Sequence, residues 1–215
     1  MKFNSIMVGL MAIQLSGMAS AQESELKVKI AENIPYLDVT HNGEKVRVQR
    51  IQDQGNKLID DFAKTSRPCP PFCIHPIKAA PGVETYGELE LLEFVDKQGR
   101  SGTGILIDAR MPEFYRVETI PSAVNIPFSI IKPENPHIDR ILNVLGARKV
   151  GSSWNFNEAK TLVLFCNGVW CDQSPRAIKS LMSLGYPADK LKYYRGGLQL
   201  WRMLGLTTVV PSKPM

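Results

Sequence analysis

The sequence predicts an α/β fold in which a parallel sheet is covered by helices on both faces. Three observations predict it. Gly104-Ile-Leu-Ile-Asp108 and Thr161-Leu-Val-Leu-Phe165 are near-continuous apolar runs, the pattern of strands buried on both sides. Helical patterns separate these runs instead of tight turns, which favours parallel crossovers. A third short strand, Leu191-Lys-Tyr-Tyr194, follows a helix that stops at Gly185.

The elements follow in order. Tyr36-Leu-Asp-Val-Thr-His41 and Lys45-Val-Arg-Val-Gln-Arg50 alternate in polarity around Asn42-Gly43, a strong hairpin signal. A short helix is expected at 57–64. A stiff joint, Pro68-Cys69-Pro70-Pro71-Phe72-Cys73-Ile74-His75-Pro76, comes next. Thr85 and Glu88 have capping-box spacing before the apolar run Leu89 to Phe94. Ser174-Pro175 supplies an N-cap and a first-turn proline for a helix over 176–184. A last helix runs from Arg195-Gly196-Gly197 through Trp201.

Composition bounds the function classes. The chain has 215 residues, 44% hydrophobic and 22% charged, which excludes a disordered, collagen-like or disulfide-dense chain. The length suits one domain with an extension, or two small ones. The net charge of +5 is dispersed, and no basic block argues for nucleic acid or a membrane surface.

Residues 1–21 carry Lys2, an apolar run from Ile6 to Leu15 and the small-residue ending Ala19-Ser20-Ala21. This is the pattern of a cleavable secretory signal, and the run is about half of the ~20 residues a membrane span needs. Cleavage after Ala21 leaves 194 residues and removes one positive charge. The expected location is periplasmic or secreted, where disulfides persist. The expected organisation is a signal at 1–21, an extension at 22–82, an α/β domain at 83–209 and a tail at 210–215.

Cys166 stands where a central strand ends, before a loop and a helix N-terminus. Ligands of open α/β sheets bind at such strand ends. The loop Asn167, Gly168, Val169, Trp170, Cys171, Asp172, Gln173 and Ser174 can turn backbone N–H groups inward. With the helix dipole, that favours a thiolate, the nucleophilic form. The alternative is a small buried hydrophobe.

These residues carry a resemblance. Leu106-Ile-Asp108-Ala-Arg110, Pro112-Glu113-Phe114-Tyr115 and Ile120-Pro121-Ser-Ala123-Val-Asn125-Ile126-Pro127 are similar to the first signature of the rhodanese-like domain family. The strand into Cys166 resembles that family's catalytic strand and loop. Tyr194-Arg195-Gly196-Gly197, with Trp201, is similar to its closing signature. The resemblance spans 83–209. It implies a parallel sheet of about five strands and a persulfide on Cys166 that passes from a sulfur donor to a thiol or cyanide acceptor, with no cofactor. It also places Asp108, Arg110 and Arg195 in support of the loop. For Asp108, an ion pair with Arg110 or Arg195 is an equal alternative.

The sequence departs from that pattern in two ways. The loop reads as longer than the family's six residues and has no cation before Arg176. Phosphatase-type loops need Arg six positions after the cysteine. Asp172 stands there, which rejects phosphatase and arsenate chemistry and should repel an anionic donor such as thiosulfate. Second, Cys171 lies five positions after Cys166, positioned either to resolve a persulfide or mixed disulfide or to serve as a structural thiol. Trp170 is either a cover for the site or an ordinary half-buried aromatic.

Cys69 and Cys73 form a second pair. The readings are a local disulfide, a redox partner of Cys166 and Cys171, or, with His75, a soft-metal site whose spacing misses the usual zinc pattern. No metal is expected. His41 and His137 read as solvated. Three functions compete: an exported sulfurtransferase, a periplasmic thiol–disulfide oxidoreductase using Cys166 and Cys171, and a non-catalytic binding module. The partners expected are a small sulfur donor and a thiol acceptor, a periplasmic protein thiol among them, with no nucleic acid and no membrane after cleavage.

Overall fold

The computed structural model describes residues 26–211. Residues 1–25, which include the expected secretory signal, and the last four residues lie outside that range. Strand β1 (Tyr36–His41) pairs antiparallel with β2 (Glu44–Gln49). Asn42 and Gly43 link them at φ of 50° and 85°, the two positive values that the twist of a two-residue hairpin requires.

The expected helix at 57–64 is only a 3-10 turn, Asp60–Ala63, with no buried residue. Without an apolar face to pack, so short a segment has nothing to offset the cost of helix nucleation.

The main sheet is built from β3 (Glu84–Tyr86), β4 (Gly104–Asp108), β5 (Val124–Asn125), β8 (Thr161–Phe165) and β9 (Leu191–Tyr194). Its order is β3-β9-β8-β4-β5, and every pairing is parallel. Between β5 and β8 lies a small antiparallel pair, β6 (Arg148–Val150) and β7 (Ser153–Asn155).

Among the described residues, five α-helices accompany the sheet: α1 (Glu88–Phe94), α2 (Pro112–Val117), α3 (Ile138–Val144), α4 (Gln173–Ser183) and α5 (Gly197–Met203). A π-helical turn, Val95–Gly99, extends α1.

Alternation along the strands divides the core in two. Ile107, Leu162, Leu164, Leu191 and Tyr193 pack against α3 and α4 through Leu142, Ile178 and Leu181. Leu106, Val163, Phe165 and Tyr194 face the other way, onto Leu91 and Phe94 of α1 and Leu198 and Trp201 of α5. Adjacent strand residues point to opposite faces, so an unbroken apolar run is what a sheet covered on both sides requires.

The hairpin belongs to the second layer. Val39 and Val48 are buried in it, and Thr207 N donates to Gln49 O at 3.0 Å. This packing overturns the solvated reading of His41. It is 7% exposed, and burial lowers its pKa despite the opposing charge of Glu44. His137 is exposed, as expected.

Two helix starts also differ from expectation. Thr85 lies in β3, paired with β9, so it cannot cap α1. Gly87 takes the cap position, and its N–H donates to Glu90 Oε2 at 3.0 Å. Helix α4 begins at Gln173, which puts Ser174 and Pro175 inside its first turn and Asp172 at the cap. Its end follows expectation. Gly185 has φ of 92°, and the N–H groups of Gly185 and Tyr186 bond back to Met182 and Leu181.

Candidate functional site

Strand β8 lies inside the sheet and delivers Cys166 just past its carboxyl end, 2% exposed. Because α4 starts at Gln173, the loop is shorter than the sequence reading had it. Ser174, expected as an N-cap, turns its hydroxyl inward instead and donates to Cys166 Sγ at 3.1 Å. In its thiol form Cys166 donates to the Cys171 carbonyl oxygen at 3.2 Å, a bond it gives up on ionising.

Burial raises the Cys166 pKa, but hydrogen bonds outweigh it. The Cys171 thiol, the Ser174 hydroxyl and the N–H groups of Ser174 and Gly168 all favour the thiolate, and the net shift is downward. Cys171 shifts upward, because its proton is held by Cys166 and because it is itself buried. Ionisation is therefore easier at Cys166 than at Cys171. Both are free.

Helix α5 holds two of the loop's carbonyls. Leu198 N donates to Cys166 O at 3.0 Å, and Gln199 N to Asn167 O at 2.9 Å. Gly197, at φ of 58°, lies against the loop so closely that a Cβ there would fall 2.4 Å from Cys166 O. The sequence marked this glycine only as part of a closing motif.

Asp108 and Arg110 form a buried ion pair, with Arg110 Nη2 2.6 Å from Asp108 Oδ2. Arg110 Nη1 also donates to Asn167 Oδ1 at 3.1 Å. The two readings of Asp108 therefore merge, since the ion pair orients the cation that holds the loop. Thr119, which no motif flagged, donates its hydroxyl to Asp108 Oδ2 at 2.8 Å. Arg195 does not pair with Asp108. It donates to the carbonyls of His75 and Pro76.

Those two carbonyls belong to a strap, residues 67–76, that lies over the loop. His75 N donates to Val169 O at 2.9 Å. The Phe72 ring meets Trp170 edge-on at 5.4 Å, and the Arg67 guanidinium sits 4.4 Å from the Trp170 ring. Trp170 is fixed from below by Gln199, which accepts its indole N–H at 2.8 Å. Trp170 is thus bound between strap and helix.

Arg67 supplies a cation that the loop's own sequence lacks. No spacing rule would find it, because it lies about a hundred residues away in the chain. Asp172, expected to repel anions, is half exposed and lies 3.7 Å from Arg176. Its charge faces solvent and is screened there.

Cys69 and Cys73 are joined by a disulfide within the strap, which removes both as thiolate metal ligands. Among the described residues, four buried side-chain atoms lack a hydrogen-bond partner: Arg67 Nε, His75 Nε2, Gln173 Oε1 and Tyr193 Oη. All four belong to residues in contact with the Cys166 loop, next to it in sequence, or within the electrostatic reach of Cys166. Buried polar groups are normally satisfied, which makes Arg67, packed on Trp170 of the Cys166 loop, a contact open to solvent or substrate. Beside it lies a cavity of about 240 Å³ lined by Phe62, Arg67, Phe72, Arg110, Asn167 and Trp170.

The rhodanese-like domain family matches residues 90–204, more than half of the chain. The chain belongs to the rhodanese-like domain family. The match runs from α1 to the end of α5, so the hairpin and the strap lie outside it. HTH-type transcriptional regulator Rv0324 of Mycobacterium tuberculosis is 26% identical over 110 residues, 51% of this chain and 39% of that protein. The chain thus spans well under half the length of that relative.

Among solved structures, a rhodanese with anions from E. coli is 26% identical, covering 50% of this chain and 99% of that one, at a TM-score of 0.34. The human single-domain sulfurtransferase TSTD1 is 23% identical, covering 57% and 96%, at a TM-score of 0.38.

One prediction concerns Ser174 of this rhodanese-like site. Ser174→Ala removes a hydrogen bond to a charged sulfur, worth about 1.5 kcal/mol or roughly tenfold in thiolate population. The profile of Cys166 alkylation against pH then moves to higher pH, because the thiolate loses support. At neutral pH, iodoacetamide labelling of the Cys166 peptide, followed by mass spectrometry, is expected to slow by roughly tenfold. An unchanged profile would show that Ser174 does not support the thiolate.

Proposed function

We propose that this protein is an exported sulfurtransferase in which Cys166 takes a sulfane sulfur from a small donor, holds it as a persulfide and passes it on. The observation that carries the reading is the placement of Cys166 Sγ, buried past the carboxyl end of β8 with the Ser174 hydroxyl donating to it at 3.1 Å and its pKa lowered by hydrogen bonding. A thiolate held among preorganised donors is a nucleophile, and the same donors can stabilise the terminal sulfur of a persulfide.

In the transfer step, the Cys166 thiolate attacks the outer sulfur of a donor such as thiosulfate and expels sulfite. The persulfide then gives that sulfur to a thiol or to cyanide, and the Cys166 thiolate is restored. Arg67 supports an anionic donor, and Asp172, which faces solvent beside Arg176, repels it less than its place in the sequence suggests. Export is supported by the secretory pattern at residues 1–21 and by the Cys69–Cys73 disulfide, since such links persist outside reducing compartments. Cell fractionation tests it, and a mature N-terminus at Gln22 is the expected result.

The position of Cys171 favours a second reading, thiol–disulfide exchange on the same fold. Its thiol is free beside Cys166 and its pKa is raised, so it retains a proton until Cys166 reacts.

A non-reducing peptide mass map after thiosulfate treatment decides between the two. One added sulfur on the peptide carrying Cys166 and Cys171, absent in Cys166→Ser, is expected. Loss of two hydrogens with no sulfur gained and no sulfite released would overturn sulfur transfer in favour of exchange.

A further inference from the structure

The molecule holds two cysteine pairs, one on each side of a single contact. The outer pair, Cys69 and Cys73, is a disulfide in the strap, with Cys69 exposed and Cys73 half-buried. The inner pair, Cys166 and Cys171, is free and buried. The bond from His75 N to Val169 O joins strap and loop. Cys73 is two residues from one end of that bond and Cys171 two from the other, at most about 7 Å of chain on each side. The Phe72 and Trp170 rings pack together across the same contact.

A disulfide spanning four residues restricts little of the unfolded chain, so it is a weak staple. The strap contains no helix or strand and meets the domain through few bonds. A protein dithiol from outside can reach Cys69, whereas the inner pair is covered.

We propose that the Cys69–Cys73 pair is the outer half of an internal disulfide relay that carries electrons from an external dithiol to Cys166 and Cys171. The inference rests on the reading of Cys166 as a persulfide carrier, and it names how that persulfide is discharged. The Cys171 thiol gives its proton to the outer sulfur of the persulfide and attacks Cys166 Sγ, the sulfur–sulfur bond breaks, and hydrosulfide leaves. The sulfane sulfur is reduced, and the two thiols are oxidised to a Cys166–Cys171 disulfide.

The reset follows from the two thiols' opposite shifts. An external dithiol reduces Cys69–Cys73 and is itself oxidised. The Cys73 thiolate attacks Cys171, and Cys166 leaves, because the better-stabilised thiolate is the better leaving group. The Cys69 thiolate then attacks Cys73 and releases Cys171, which takes up a proton. The products are an outer disulfide and a free inner pair, Cys166 and Cys171, the state the structure holds.

A trapping experiment on the mature chain tests this. Cys69→Ser removes the thiol that completes the reset. After oxidation of the inner pair with diamide, non-reducing peptide mapping is expected to find a Cys73–Cys171 disulfide with Cys166 free. A Cys166–Cys171 disulfide beside a free Cys73 would overturn the relay.

A second measurement uses Cys69→Ser/Cys73→Ser with its inner pair oxidised. Reduction by a thioredoxin-class dithiol protein is expected to be at least tenfold slower than in the unmodified chain, and an equal rate would also overturn the relay. Thiosulfate loading of Cys166 in this double variant separates the two ideas. Normal loading with no trapped link leaves sulfur transfer standing and removes the relay. A trapped link with no loading removes sulfur transfer and keeps an exchange relay.

Discussion

Gly197→Ala is expected to cost about 3–5 kcal/mol, of which about 1 kcal/mol is the left-handed backbone and the rest overlap. Gly197 has φ of 58°, and its new Cβ would meet Cys166 O at 2.4 Å, Gly168 N at 2.7 Å and Asn167 C at 2.9 Å. All three are backbone atoms, so no flexible side chain can yield. Either α5 or the loop must retreat. Moving the loop breaks the bonds from Leu198 N and Gln199 N that hold its carbonyls outward.

The variant is therefore expected to lose the cradle as well as stability. Urea unfolding reads the first loss and Cys166 alkylation the second. Gly151→Ala is the control. Its φ is 61°, but a Cβ there meets nothing within 4 Å, so only the backbone cost of about 1 kcal/mol should appear. Equal losses at the two positions would refute the close-approach argument.

Arg110→Met is expected to destabilise by about 3–5 kcal/mol, because it strips a buried carboxylate of its counter-charge. Asp108 is 0% exposed and would keep only the Thr119 hydroxyl and the Arg110 backbone N–H. The Arg110 guanidinium also bonds the Glu118 carbonyl at 2.6 Å and Asn167 at 3.1 Å, so its removal unties α2's end and the loop together.

The double variant Asp108→Leu/Arg110→Met removes both charges and should recover part of the loss. That non-additivity identifies the ion pair as the source. If the two single effects simply add, the pair contributes nothing specific. Cys166 alkylation should be altered in Arg110→Met even where the chain remains folded, since Asn167 loses its anchor.

The α/β architecture was legible in the chain because buried strands and hairpin turns leave local traces. Apolar runs such as Thr161–Phe165 must feed both faces of a covered sheet, and Asn42-Gly43 meets the positive φ values of its turn. Cys166 was legible for the same reason: a strand, a cysteine, a loop and a helix start are adjacent in sequence.

Tertiary structure alone decided what those residues touch. His41 reads as a turn histidine but is buried, because the hairpin packs on the domain. Ser174 reads as a cap but bonds Cys166, because the helix begins two residues earlier. The predicted helix at 57–64 shrinks to a 3-10 turn for want of a packed face. Asp172 reads as an acid at the site but faces solvent and Arg176.

Arg67 and Phe72 reach Trp170 from about a hundred residues away, and such pairings leave no periodic mark. Local conformation follows from neighbours in the chain. Burial, hydrogen-bond partners and thiol acidity follow from neighbours in space, and these exist only once the chain has folded.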